Sequence, residues 1–95
     1  MKEEVFEEYV HKVCDIFNLS TKELMSKVKR RDIVDARHLL YFLCYKRPMQ
    51  IRYIQEYMGK KGYEVGHSSI IHGIAQVKEK IKVDNDYERV YERIA

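Results

Sequence analysis

Apolar residues recur at intervals of three and four through most of this 95-residue chain, and only 4 Gly and 1 Pro are available to interrupt them. That period is the one with which a helix turns a single face toward a core. From Glu3 to Phe17 the stripe is Val5, Phe6, Tyr9, Val10, Val13, Ile16 and Phe17, with Glu3, Glu4, Glu7, Glu8 and Lys12 on the other face. Asn18-Leu19 interrupts it. Ser20-Thr21-Lys22-Glu23 then has the spacing of a capping box, which predicts a short helix to about Ser26 with Leu24 and Met25 inward. The run Lys27-Val28-Lys29-Arg30-Arg31 crosses as a loop. Asp32 is the expected N-cap of a helix from Ile33 to about Lys46 that buries Ala36, Leu39, Leu40, Leu43 and Cys44.

Pro48 stops that helix, because proline has no N–H to donate and biases the preceding residue away from the helical region. Gln50 is the expected cap of a two-turn helix carrying Ile51, Ile54, Tyr57 and Met58, closed by Gly59 at positive φ. A further helix runs from about His67 to Lys82, and Asp84 opens a last one with Tyr87, Val90, Tyr91 and Ile94 on one face. No strand-like alternation, internal repeat or low-complexity segment is present. The expected fold is all-α, a small bundle of about six helices forming one domain over residues 1–95.

Charge is distributed unevenly along the chain. Residues 22–61 carry 11 Lys/Arg against 4 Asp/Glu, a net +7, whereas the remainder carries 7 against 11, a net −4. A basic middle between acidic ends makes a polyanion the expected partner, although Lys and Arg on exposed helix faces also serve simply as solvated surface. No apolar run reaches the roughly 18 residues of a membrane span, and the acidic N-terminus is unlike a signal peptide, so a cytoplasmic location, in a bacterial nucleoid or an infected host cell, is expected. Cys14 and Cys44 fall on apolar helix faces as lone buried thiols.

The most informative segment is Gly66-His67-Ser68-Ser69-Ile70-Ile71-His72-Gly73. Its first residues are short and polar, while Ile70, Ile71, Ile74, Val77 and Ile81 are apolar at helical spacing. Such a helix anchors its body in a core and projects its N-terminal turn, as helix-turn-helix recognition helices do when their first residues meet base edges. The expected function is DNA binding.

Taken together, these residues resemble the C-terminal DNA-binding domain of the bacterial replication initiator DnaA, from about Val10 to Lys82. Its pieces occur in family order: Asp15-Ile16-Phe17-Asn18-Leu19-Ser20, Glu23-Leu24-Met25-Ser26-Lys27, the basic loop, Ala36-Arg37, Ile51 to Met58-Gly59, and His67-Ser68-Ser69-Ile70-Ile71-His72. The last of these is similar to the family signature Asp-His-Ser/Thr-Thr-Val-Leu-His. The resemblance implies double-stranded DNA as partner, with the recognition helix starting near His67 in the major groove and loop 27–31 toward the minor groove. By position, His67 and Ser68 are implied at base edges, and Ser69 and His72 at phosphate or in support of the helix start. Lys29 takes the place of the family's minor-groove arginine. Arg30 and Arg31 are able to substitute for it, Arg suiting a narrow groove better than the strongly hydrated Lys. Arg37 is implied as a phosphate contact, and Lys27, Lys60 and Lys61 complete the cationic set.

The chain departs from the family pattern in three places. Gly59-Lys60-Lys61-Gly62-Tyr63-Glu64-Val65-Gly66 is several residues longer than the family's Gly-Gly-Arg-Asp turn, and its guanine-gripping Arg and the Asp before His are absent. Ser68 also replaces Thr, removing a methyl that packs on thymine. A bidentate Arg–guanine pair contributes roughly 1–3 kcal/mol of discrimination, so a changed or relaxed target sequence is expected. No phosphate-cradling Gly-x-x-x-x-Gly-Lys-Ser/Thr occurs, so no ATPase, no cofactor and no enzyme activity are expected. The Met1 start suits a small stand-alone reader from a phage or mobile element, acting in replication or transcription with a protein partner there.

Competing chemistry is weaker. His72 follows His67 by about 500° around a helix, so the two do not share a face as metal ligands would, and no metal site is expected. His11 and Cys14 lack a second ligand pair, and His38 is expected to be an exposed helix residue. Of the 8 tyrosines most sit at core spacing, and Tyr63, in the long turn, is the one expected to be free to touch nucleic acid. The alternative function is a helical protein-interaction module, a small inhibitor or adaptor that kept this scaffold without base readout.

Overall fold

The computed structural model describes residues 1–94. Six helices follow in order: α1 (Lys2–Phe17), α2 (Thr21–Leu24), α3 (Arg31–Lys46), α4 (Ile51–Lys60), α5 (His67–Val83) and α6 (Asn85–Ile94). Among the described residues there is no strand, and the architecture is all-α as the periodicity predicts.

Local chemistry explains most of the boundaries. Asn18 ends α1 in the left-handed region at φ 55°, which a short polar side chain tolerates, and the Leu19 N–H returns to the Cys14 carbonyl at 2.9 Å. The capping box starts α2: Ser20 Oγ accepts from the Glu23 N–H at 3.0 Å, while Glu23 Oε1 accepts from the Ser20 N–H at 2.9 Å. Those bonds favour the ionised form and hold the Glu23 carboxyl below its usual pKa. Asp84 caps α6, its Oδ1 accepting from the N–H groups of Asp86 and Tyr87 at 3.0 and 3.2 Å.

Three expected caps are different. Helix α3 begins at Arg31 with Arg30 at the cap, and Asp32 lies inside the first turn, where it grips Arg30 instead. Gln50 is the cap residue of α4 by position, but its Oε1 accepts from Arg52 Nε at 3.0 Å and leaves the helix N–H groups alone. Helix α4 also runs straight through Gly59. The positive φ belongs to Gly62, at 88°. There the Gly62 N–H reaches the Gly59 carbonyl at 2.9 Å and the Tyr63 N–H reaches the Met58 carbonyl at 3.0 Å. This is a Schellman closure, with Tyr63 in the position where a hydrophobic residue folds back on the helix it terminates.

Helix α3 is the spine. It packs most extensively on α5 and α1, and α4 and α6 close against α5. Phe6, Val10, Leu39, Leu40, Ile54, Met58, Ile70 and Val77 have no exposed surface. Cys14 and Cys44 are buried in the same core, and burial pushes the Cys44 thiol up to about 12. Phe42 meets Tyr91 edge-on at 5.2 Å, tying α6 to the spine. The arrangement leaves the start of α5, the loop before α3 and the turn after α4 at one end of the spine.

Candidate nucleic-acid interface

The loop that precedes α3 is held from inside by Arg37. This side chain is only 4% exposed, and its guanidinium donates from Nε to the Leu24 carbonyl at 2.7 Å and from Nη2 to the carbonyls of Ser26 and Val28. A planar fork of fixed donors suits three carbonyls on alternate residues better than an ammonium would. The face of the guanidinium lies over the Tyr63 ring at 4.5 Å. Two expectations therefore change. Arg37 is an internal brace rather than a surface phosphate contact, and Tyr63 is a half-buried partner of that brace rather than a free aromatic.

The brace turns the cations of the loop outward. Lys27, Lys29 and Arg31 are exposed and have no ion-pair partner among the described residues. Arg30 is pinned, donating to both carboxylate oxygens of Asp32 at 2.7 and 3.2 Å and lying 3.7 Å from Glu23. The bond from Arg30 holds the Asp32 carboxyl below its usual pKa.

Gly66 precedes α5 and offers no side chain to cap it. The first intrahelical bond runs from the Ile70 N–H to the Gly66 carbonyl at 3.2 Å, so the N–H groups of His67, Ser68 and Ser69 have no acceptor inside the helix. His67, Ser68, Ser69 and His72 are all exposed, while Ile70, Gly73, Ile74 and Val77 face the core. Ile71, expected to anchor the helix, instead stands 48% exposed on the outward side. Its place in the 3.6 period puts it one turn beyond His67 and Ser68 rather than beneath them.

Loop and helix meet in a cleft of about 470 Å³. Lys29 lines it from the loop, Tyr63, Glu64 and Val65 from the turn, Ser68, Ser69 and His72 from α5, and Arg37, His38 and Tyr41 from α3. His38 is half-buried there, not an exposed helix residue, and meets the His72 ring edge-on at 6.0 Å. Desolvation lowers its pKa, helped by Lys80 and opposed by Asp35.

The remaining expected cations are elsewhere. Lys60 reaches Glu3 at 3.3 Å and Lys61 reaches Glu7 at 2.7 Å, so the turn's two lysines are tied to the acidic face of α1 and do not line the cleft. His67 lies on the opposite flank of the helix tip, in an apolar groove with Tyr45, Ile51 and Arg52. Periodicity ranked neither Arg52 nor Tyr41 as a site residue, because nothing in the spacing of α3 or α4 shows which side faces the tip of α5.

Residues 7–77 match the family model described as the bacterial dnaA protein helix-turn-helix. This chain belongs to that family. Curated relatives are chromosomal replication initiator proteins DnaA. That of Leptospira biflexa is 27% identical over 82 residues, covering 86% of this chain and 18% of the relative. That of Oleidesulfovibrio alaskensis is 28% identical over 81 residues, with 84% and 16% covered, and that of Flavobacterium psychrophilum is 28% identical over 98 residues, with 99% and 19% covered. The chain thus spans less than a fifth of the DnaA proteins it matches. No solved structure matches it. Membership of the DnaA helix-turn-helix family supports DNA binding as the activity and double-stranded DNA as the partner. Among the described residues no helix is long and apolar enough to cross a membrane.

Proposed function

We propose that this chain binds duplex DNA with the first turn of α5 in the major groove and the loop 27–31 directed to the adjacent minor groove, in a role in replication or transcription that uses no ATP hydrolysis of its own. The observation that carries the reading is the shared cleft, which unites Lys29 with Ser68, Ser69 and His72 although 39 to 43 residues separate them in sequence. His67 and Ser68 are the proposed base-edge residues. Lys27, Lys29 and Arg31 supply free positive charge, and Arg30 adds charge that is partly neutralised by its carboxylate partners. Arg37 supports binding indirectly, by fixing the loop.

The missing family arginine and the longer turn favour a target different from the usual initiator box, so the test selects bound duplexes from a random pool at low salt and then titrates salt. Enrichment of a defined sequence, with affinity falling steeply as salt rises, is the expected outcome. Absence of binding at low salt overturns the reading and leaves a helical protein-interaction module in its place.

A further inference from the structure

Tyr41 is 3% exposed, yet its hydroxyl has no hydrogen-bond partner among the described residues and is not sealed in the core. The side chain lines the cleft beside Arg37, and the edge of its ring packs where Gly73 leaves room. The ring is held in the core while the O–H opens to the cleft, so its hydrogen-bond partner is whatever occupies the cleft, water or a ligand. Burial raises the pKa of this phenol, so it remains a donor at any working pH. Strong donors share the cleft with it: the Lys29 ammonium at the rim and the uncapped N–H groups of Ser68 and Ser69 at the positive end of a 17-residue helix, beside the hydroxyls of Ser68, Ser69 and Tyr63 and the rings of His38 and His72, which can also accept. Glu64, the one carboxylate lining the cleft, lies toward Gly59, where a Cβ would come within 3.8 Å of its Oε1.

We propose that Tyr41, together with Lys29 and the first turn of α5, holds one phosphodiester of the DNA strand that separates the two grooves. The proposal rests on the duplex-binding reading above. A strand's backbone is the wall between its major and minor grooves, so a protein with a helix tip in one and a loop in the other straddles that wall. The cleft lies between those two elements. An anionic, acceptor-only group in it satisfies the phenol, the lysine and the helix N–H groups at once.

The experiment compares the unmodified chain with Tyr41→Phe on a duplex in which single linkages are replaced, one at a time, by neutral methylphosphonate. Phenylalanine keeps the ring against Gly73, and circular dichroism with thermal melting verifies that the variant is folded. For the unmodified chain we expect one linkage whose neutralisation weakens binding roughly tenfold, the scale of a hydrogen bond to a charged group. Tyr41→Phe weakens binding to the unmodified duplex by several-fold and is clearly less sensitive to that same linkage, the remaining sensitivity coming from Lys29 and the helix N–H groups. Equal affinities of the two proteins at every linkage overturn the proposal. A chemical-shift titration of the free protein with inorganic phosphate supplies the other arm: saturable shifts at Ser68 and Ser69, lost in Tyr41→Phe, with no methylphosphonate effect on DNA, assign the cleft to a free phosphate and overturn the phosphodiester. Retained duplex binding with a silent Tyr41→Phe removes this inference alone, whereas absent duplex binding removes the reading beneath it.

Discussion

Gly73 of α5 lies so close to His38 of α3 that a Cβ on the glycine would come 2.7 Å from His38 Cδ2 and 3.0 Å from Tyr41 Cδ2. A helix-interior glycine ordinarily costs about 1 kcal/mol relative to alanine. Here the missing methyl is what allows α5 to seat on the spine and so sets the position of the cleft. We predict that Gly73→Ala destabilises the fold by about 1–2 kcal/mol, overpacking at roughly 1–3 kcal/mol outweighing the gain in helix propensity. Gly59→Ala is the control. Its Cβ meets nothing nearer than Glu64 Oε1 at 3.8 Å, and it should stabilise by about 0.5–1 kcal/mol. Urea denaturation of both variants checks the sign.

The same contact gives the fold a pH dependence. Burial lowers the pKa of His38, Lys80, His72 and Arg37 lower it further, and Asp35 opposes them. The unfolded chain takes up this proton near the ordinary value of 6.5 and the folded chain only at lower pH. Between the two the unfolded state binds more protons, so stability rises with pH and the contribution is lost as pH falls below the ordinary value. His38→Gln should flatten the slope of the urea midpoint between about pH 5 and 7, while leaving the higher-pH arm unchanged. An unaltered slope would assign the titration to other groups.

Helix positions were legible in the sequence because core contacts in a helical bundle are periodic, and Asn18, the Ser20–Glu23 box, Pro48 and Asp84 each carry their own local chemistry. The misread caps have a common cause. Asp32, Gln50 and Gly59 all have the right residue type, but Arg30 and Arg52 compete for the two side chains, and the Schellman closure falls three residues later at Gly62. Of the expected loop cations, Lys29 alone lines the cleft with Ser68, Ser69 and His72. What linear spacing concealed is the sorting of cations. Arg37 turns inward to loop carbonyls 9 to 13 residues away, and Lys60 and Lys61 meet glutamates more than 50 residues upstream. Only tertiary pairing separates these from Lys29, which is equally cationic by sequence and, for Lys60 and Lys61, of the same residue type.

Arg37 is therefore the residue whose loss should couple stability to binding. Its fork satisfies three loop carbonyls, and hydrogen bonds from a charged donor contribute about 1.5–3 kcal/mol each in favourable cases, not additively. We predict that Arg37→Met costs about 2–4 kcal/mol in denaturation. Arg37→Lys should recover only part of this, because one ammonium lacks the fork. Amide exchange in residues 25–30 should accelerate in both variants. Protection that stays as in the parent chain would mean that the loop is held by something other than the guanidinium.

The sorting of cations also predicts which lysines govern binding. Each phosphate contact removed should lower the salt slope of duplex binding by about 1. Lys29→Ala and Arg31→Ala should each do so and should weaken binding across all sequences. Lys61→Ala should leave the slope nearly unchanged, because its ammonium is already 2.7 Å from Glu7 and its side chain is only 24% exposed. Lys60→Ala should behave likewise, with the exposed pair to Glu3 contributing no more than about 1 kcal/mol to stability. Glu7→Gln turns the comparison around: freeing Lys61 should steepen the slope if DNA runs near the turn, and leave it unaltered if DNA is confined to the cleft side of α5. A Lys61→Ala slope as shallow as that of Lys29→Ala would mean that the α1 pairs yield to DNA, and that the interface extends over the turn as well as the cleft.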